Sequence, residues 1–76
     1  MKITIKLFAS LRAGRFKIGV FEYPEGTTVG QVLDSLSISR QEMEIGILFI
    51  NGKRAEFDSL LKTDDTLAVF PPVAGG

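Results

Sequence analysis

A chain of 76 residues with nine basic and nine acidic side chains, no cysteine and no histidine has room for one domain and lacks the common tools of catalysis: a fold this small buries about 60% of its unfolded surface, and without histidine or cysteine the usual general base, the neutral metal ligand, disulfides and thiolate metal sites are all missing. A net charge of zero leaves no basic excess for nucleic acid, and no apolar run approaches the ~20 residues of a bilayer span. Met1 opens directly on a strand pattern with no leader before it, so the expectation is a soluble, intracellular, cytoplasmic carrier or binding module. No catalytic residue, metal site, bound cofactor, nucleic-acid partner or membrane partner is expected.

Lys2 to Leu7 alternates polar and apolar with period two, which predicts a strand with Ile3, Ile5 and Leu7 on the core face and Phe8 on the other. Ser10 to Gly14 reads as a connection, and Arg15 to Tyr23 as a second strand with Phe21 and Tyr23 inward and Phe16, Ile18 and Val20 outward. Lys2, Lys6, Arg12, Arg15 and Lys17 all precede the first acid, a local bias that reads as solvated strand edges and a turn. Pro24-Glu25-Gly26 is a turn. Thr28 to Gln31 has the form of a capping box, followed by Val29, Val32, Leu33 and Leu36 on one helix face, so a helix is expected to about Leu36. Ser39 to Glu42 repeats the box and predicts one more short turn.

Ile45 to Ile50 is almost wholly apolar, the pattern of a strand covered on both faces. Asn51-Gly52 predicts a two-residue hairpin, with Lys53 to Glu56 returning as a short edge strand. Asp58 to Asp65 reads as loop with Leu60 or Leu61 tucked inward, and Thr66 to Phe70 as a last strand with Leu67 and Val69 inward. Strand, strand, helix, strand, short strand, strand is an α+β order. It predicts a mixed sheet of four to five strands, with the Ile45–Ile50 strand central and one helix packed on one face.

Pro71-Pro72 ends the last strand, since proline cannot donate to a ladder, and two prolines favour an extended conformation directed away from the body. Val73, Ala74, Gly75 and Gly76 then taper to no side chain at all. The expected division is a domain over residues 1–71 and an extended, flexible Gly-Gly tail over 72–76. A carboxylate that must pass down a narrow channel cannot carry bulky neighbours, and glycine takes whatever torsions the channel imposes. Gly76 is therefore the candidate reactive end, with Gly75, Ala74, Val73, Pro72 and Pro71 as its slender lead. The plain alternative is an ordinary frayed terminus.

The run Phe70-Pro71-Pro72-Val73-Ala74-Gly75-Gly76 resembles the C-terminal signature of MoaD, the small subunit of molybdopterin synthase. Leu7-Phe8-Ala9-Ser10-Leu11-Arg12 resembles that family's first strand and following arginine. Pro24 to Val29 and Ile50 to Lys53 resemble segments shared by MoaD and its relative ThiS, the thiazole sulfur carrier. The likeness to this MoaD/ThiS family spans the chain and is nearer to MoaD, because ThiS usually lacks the double proline. It implies a β-grasp, ubiquitin-like fold. It also implies a sulfur carrier that is not itself an enzyme, one part of a sulfurtransferase complex. An E1-like adenylyltransferase (MoeB-like) would activate Gly76 with ATP, a sulfur donor would convert it to a thiocarboxylate, and a large synthase subunit (MoaE-like) would receive the tail to build the dithiolene of the molybdenum or tungsten cofactor. Ala13 stands where the family often has glutamate, and the connections between strands are a little short, as in specialised MoaD-like proteins.

With one helix on one face, the sheet leaves its other face uncovered. The expected registers place Phe8, Ile47, Phe49 and Phe70 there with Ala68 between them, and such a cluster leading straight into the tail reads as a partner interface. The competing functions are a ThiS-like carrier for thiamin thiazole synthesis, a ubiquitin-like modifier forming isopeptide bonds, and a plain β-grasp adaptor whose glycines are incidental.

Overall fold

The computed structural model describes residues 1–72. Five strands and one α-helix are present among them: β1 Lys2–Leu7, β2 Ile18–Glu22, α1 Val29–Ser35, β3 Ile47–Ile50, β4 Lys53–Ala55 and β5 Thr66–Phe70. They form one mixed sheet in the order β2-β1-β5-β3-β4. β1 runs parallel to β5 and antiparallel to β2, while β3 is antiparallel to both β5 and β4. This is the mixed sheet with one helix expected from the element order, in the β-grasp arrangement that the family resemblance implies.

Alternation decides the core. Ile3, Ile5 and Leu7 of β1 and Leu67 and Val69 of β5 are fully buried, and they meet Val29, Val32 and Leu33 of α1. The helix starts where its capping box sits. Thr28 Oγ1 accepts from the Gln31 amide at 3.2 Å, and the Thr28 amide donates to Gln31 Oε1 at 2.9 Å. The two remaining first-turn amides donate to the loop before β5: Val29 to the Ser59 carbonyl at 3.0 Å and Gly30 to the Phe57 carbonyl at 2.8 Å. The start of α1 is thus fully satisfied by protein.

The helix ends at Ser35, one residue before the expected limit, in a Schellman arrangement. The Ile38 amide donates to the Leu33 carbonyl at 2.9 Å and the Ser37 amide to the Asp34 carbonyl at 3.1 Å, with Ser37 at φ 57°. Arg15 braces this end from another part of the chain. Its guanidinium donates to the carbonyls of Leu36, Ser37 and Leu11 at 3.0 to 3.2 Å. The second box closes as expected between Ser39 and Glu42, and its turn carries Met43 into the core, 1% exposed.

Asn51 and Gly52 make the hairpin at φ 52° and 80°, the signs a type I′ turn requires. The Asn51 side chain also ties the hairpin to β5. It donates to Asp65 Oδ1 at 2.8 Å and accepts from the Thr66 amide at 2.9 Å.

Several expectations need correction. The second strand begins at Ile18, not Arg15, so the alternation ends there and Phe16 turns inward instead of outward, its ring 5.0 Å from that of Phe21. The two rings cover Gly19, where an added Cβ would lie 2.8 Å from Phe21. The Ser10–Gly14 connection includes part of a 3₁₀ turn, Ala9–Arg12, that buries Leu11. Of the two leucines that could fill the inward position of the loop before β5, it is Leu61 that is buried, as one of the two was expected to be. The apolar segment at 45–50 is neither central nor covered on both faces. β5 is the central strand, Ile45 lies outside β3 at 79% exposure, and Ile47 is 40% exposed. A strand that presents apolar side chains outward on purpose has the same composition as a buried one, so sequence pattern could not separate them.

Candidate functional site

β5 positions the site because it lies at the centre of the sheet and leads directly into Pro71-Pro72. Its inward residues, Leu67 and Val69, lock it to the core, which turns Thr66, Ala68 and Phe70 to the uncovered face. The neighbouring strands then set their outward residues beside these. Ile47 pairs with Phe70, and Phe49 pairs with Ala68. Phe8 follows β1, and its amide donates to the Val69 carbonyl at 3.2 Å.

The result is an aromatic cluster around Phe70. Phe8 stacks on Phe70 with centroids 4.1 Å apart and planes 12° apart. Phe49 meets the other side of Phe70 edge-on at 5.8 Å, with planes at 87°. Both geometries are favoured for aromatic pairs. The structure therefore brings together all five expected interface residues: Phe8, Ile47, Phe49, Ala68 and Phe70. Pro71 and Pro72 continue from Phe70, half-buried and outside the ladder. The remaining expected site residues, Val73, Ala74, Gly75 and Gly76, lie outside the described residues.

Two features of this face were not expected from sequence. Arg12 lies over the Phe8 ring, its guanidinium carbon 5.4 Å from the centroid, while its Nε donates to the Leu7 carbonyl at 2.8 Å. The 3₁₀ turn at Ala9–Arg12 makes this possible by folding the chain back over Phe8. Ile18 and Val20 are the second feature, 55% and 63% exposed on the same face, which extends the apolar surface towards the β2 edge. The alternation of β2 marked their outward facing, but only the pairing of Lys6 with Ile18 and of Lys6 with Ala68 shows that they adjoin the cluster.

Among the described residues no three side chains of histidine, cysteine, aspartate or glutamate gather as a metal site would need, and no helix is long and apolar enough to cross a membrane. What the arrangement offers chemically is a rigid apolar platform at the root of a tapering C-terminal segment.

A model of the ThiS family matches residues 5–76. The chain belongs to the ThiS family. Solved structures share the fold described above. SAMP1 from Haloferax volcanii is 29% identical, with all of both chains covered and a TM-score of 0.76. A protein from Pyrococcus furiosus assigned as molybdopterin converting factor, subunit 1, is 26% identical over 96% of this chain and 99% of its own, with a TM-score of 0.72. A complex of subunits 1 and 2 of the molybdopterin-converting factor from Helicobacter pylori contains a chain 16% identical, covered end to end, with a TM-score of 0.66; at that identity the likeness is one of fold. No curated protein matches. This ThiS-family protein thus has the ubiquitin-like fold of the small ThiS/MoaD carriers, proteins that are not catalytic by themselves.

Proposed function

We propose that this ThiS-family protein is the small, sulfur-carrying subunit of a molybdopterin synthase, with Gly76 as the carrier residue. A Gly76 carboxylate oxygen attacks the α-phosphorus of ATP on an E1-like, MoeB-like adenylyltransferase and releases pyrophosphate. A donor of sulfur at the oxidation level of sulfide then displaces AMP and leaves a thiocarboxylate. The tail, with Gly75 and Ala74 as its slender neck, enters a MoaE-like large subunit, where the sulfur passes to the pterin precursor of the molybdenum or tungsten cofactor. ATP is consumed by the activating enzyme, and the chemistry belongs to the partners.

The observation that carries this reading is the placement of Phe70. It is the centre of a half-buried aromatic cluster on the uncovered face of the sheet and the residue just before Pro71-Pro72, so a partner that grips the cluster holds the root of the tail. The family match reaching Gly76 and the likeness to the Pyrococcus furiosus protein support the same reading. A second reading, a ubiquitin-like modifier joined by isopeptide bonds to lysines, is supported by the 29% identity with SAMP1. A thiazole carrier is a variant of the first, supported by the family itself.

Mass spectrometry of the protein purified from its own host tests the proposal. A mass raised by the difference between sulfur and oxygen at the C-terminus is expected, and removal of Gly76 should abolish it while leaving the fold unchanged. Finding only isopeptide conjugates would replace the carrier reading with the modifier.

A further inference from the structure

The chain is neutral as a whole, but its charge is not evenly placed. Of the nine acidic residues, only Glu22 lies in a strand. The strands carry four bases: Lys2, Lys6, Lys53 and Arg54. Alternation turns Lys2, Lys6 and Arg54 to the uncovered face, because Ile3, Ile5 and Leu7 of β1 and Ala55 of β4 are the buried partners.

The strand registers then make one continuous row. Ile18 pairs with Lys6, Lys6 with Ala68, Ala68 with Phe49, and Phe49 with Arg54. The apolar centre is therefore flanked by a cation on each side. At the Lys6 end the flank deepens into an open pocket of about 230 Å³ formed by Lys6, Phe8, Arg12, Lys17 and Ile18. It holds three exposed cations, no carboxylate and an apolar floor. Neither ion pair found among the described residues neutralises this set: one joins Arg40 to Asp34, and the other places the Met1 ammonium 3.6 Å from Glu22, the one strand acid on this face. The early basic residues that read in sequence as solvated edges are in part brought together by the fold, with Arg54 supplied from 37 residues beyond Lys17.

We infer that this face recognises a protein surface built in the complementary way, an apolar centre flanked by carboxylates, and that the first partner to use it is the activating enzyme. The inference rests on the carrier reading and adds to it what the partner must present. Fields of one sign raise encounter rates by about 10- to 1,000-fold and are screened by salt. Charges at the rim of an interface act mainly on association. The cations should therefore govern capture of the carrier by the enzyme more than the adenylation step that follows.

The test uses the adenylyltransferase encoded in the same genome, with ATP and the full-length carrier, and follows pyrophosphate release. For the unsubstituted carrier, kcat/KM should fall about tenfold between roughly 50 and 500 mM salt while kcat changes little. The double variant Lys6→Glu, Arg54→Glu should lose about tenfold or more in kcat/KM at low salt and most of the salt dependence with it. The control Lys53→Glu, Lys62→Glu makes the same change in net charge off this face, since Lys53 pairs with Ile50 on the opposite side of β4; it should lose far less. Activation that ignores salt, or that drops equally in the two double variants, overturns the charged-face inference and leaves the carrier reading standing. Absence of any activation overturns the carrier reading and this inference together. The salt series needs no substitution, so a poorly folded variant does not rescue the idea.

Discussion

The ring of Phe8 lies flat on the ring of Phe70 with 4.1 Å between centroids, joining the end of β1 to the last residue of the central strand. Phe8 is held from below by its amide on the Val69 carbonyl and from above by Arg12. The root of the tail is therefore fixed by a residue more than 60 positions earlier in the chain. Replacing Phe8 with alanine should remove about 1 kcal/mol of ring pairing along with part of the contact area. The melting temperature should fall by about 5 °C or more for a domain of this size, and binding to the large synthase subunit should weaken as well.

Phe49 pairs across the sheet with both Ala68 and Arg54 and points away from the core, so its loss removes the edge-on pairing with Phe70 but leaves the core intact. Phe49→Asp should leave far-UV circular dichroism unchanged and weaken the complex with a MoaE-like subunit at least tenfold in calorimetry, as loss of a central aromatic anchor does. Unchanged affinity would sink the assignment of this face as the docking surface.

Gly46 lies where β3 meets the end of β5. A Cβ there would sit 2.8 Å from the Phe70 carbonyl oxygen and 2.5 Å from Met43 Cε. The methionine can move, but the backbone of Phe70 is held by its strand. Gly46→Ala should cost about 1–3 kcal/mol, the range of overpacked sites, measured by denaturant titration. Because the clash falls at Phe70, the variant should also be a poorer substrate for the adenylyltransferase than its residual stability alone accounts for.

The end of α1 gives two opposed predictions. Arg15→Ala removes the donor that serves three carbonyls and should destabilise by about 2 kcal/mol, as for hydrogen bonds from a charged group. Arg15→Lys should recover only part, since an ammonium cannot reproduce the planar fork. Ser37 occupies a left-handed position at φ 57° where a side chain is strained, so Ser37→Gly should stabilise by about 0.5–1 kcal/mol. Thermal melts of the three variants decide both points.

By itself, the sequence determined the order of the elements and the inward faces of β1, α1 and β5. Alternation placed Ile3, Ile5, Leu7, Leu67 and Val69 in the core. The boxes at Thr28–Gln31 and Ser39–Glu42 and the Asn51-Gly52 turn were legible because each is local chemistry, complete within four residues. It also gave the family likeness and the tapering lead to Gly76. The tertiary structure decided what depends on pairing between distant segments. It made β5 rather than β3 the central strand, it turned Phe16 inward once the ladder began only at Ile18, and it set Arg12 over Phe8. It also aligned Lys6, Ala68, Phe49 and Arg54 in one row. Strand register is fixed by burial of one face against α1 and by the parallel pairing of β1 with β5, contacts that span most of the chain, and no local pattern encodes which outward residues will become neighbours. A neutral chain with scattered charges thus acquires a basic, aromatic face only when it folds.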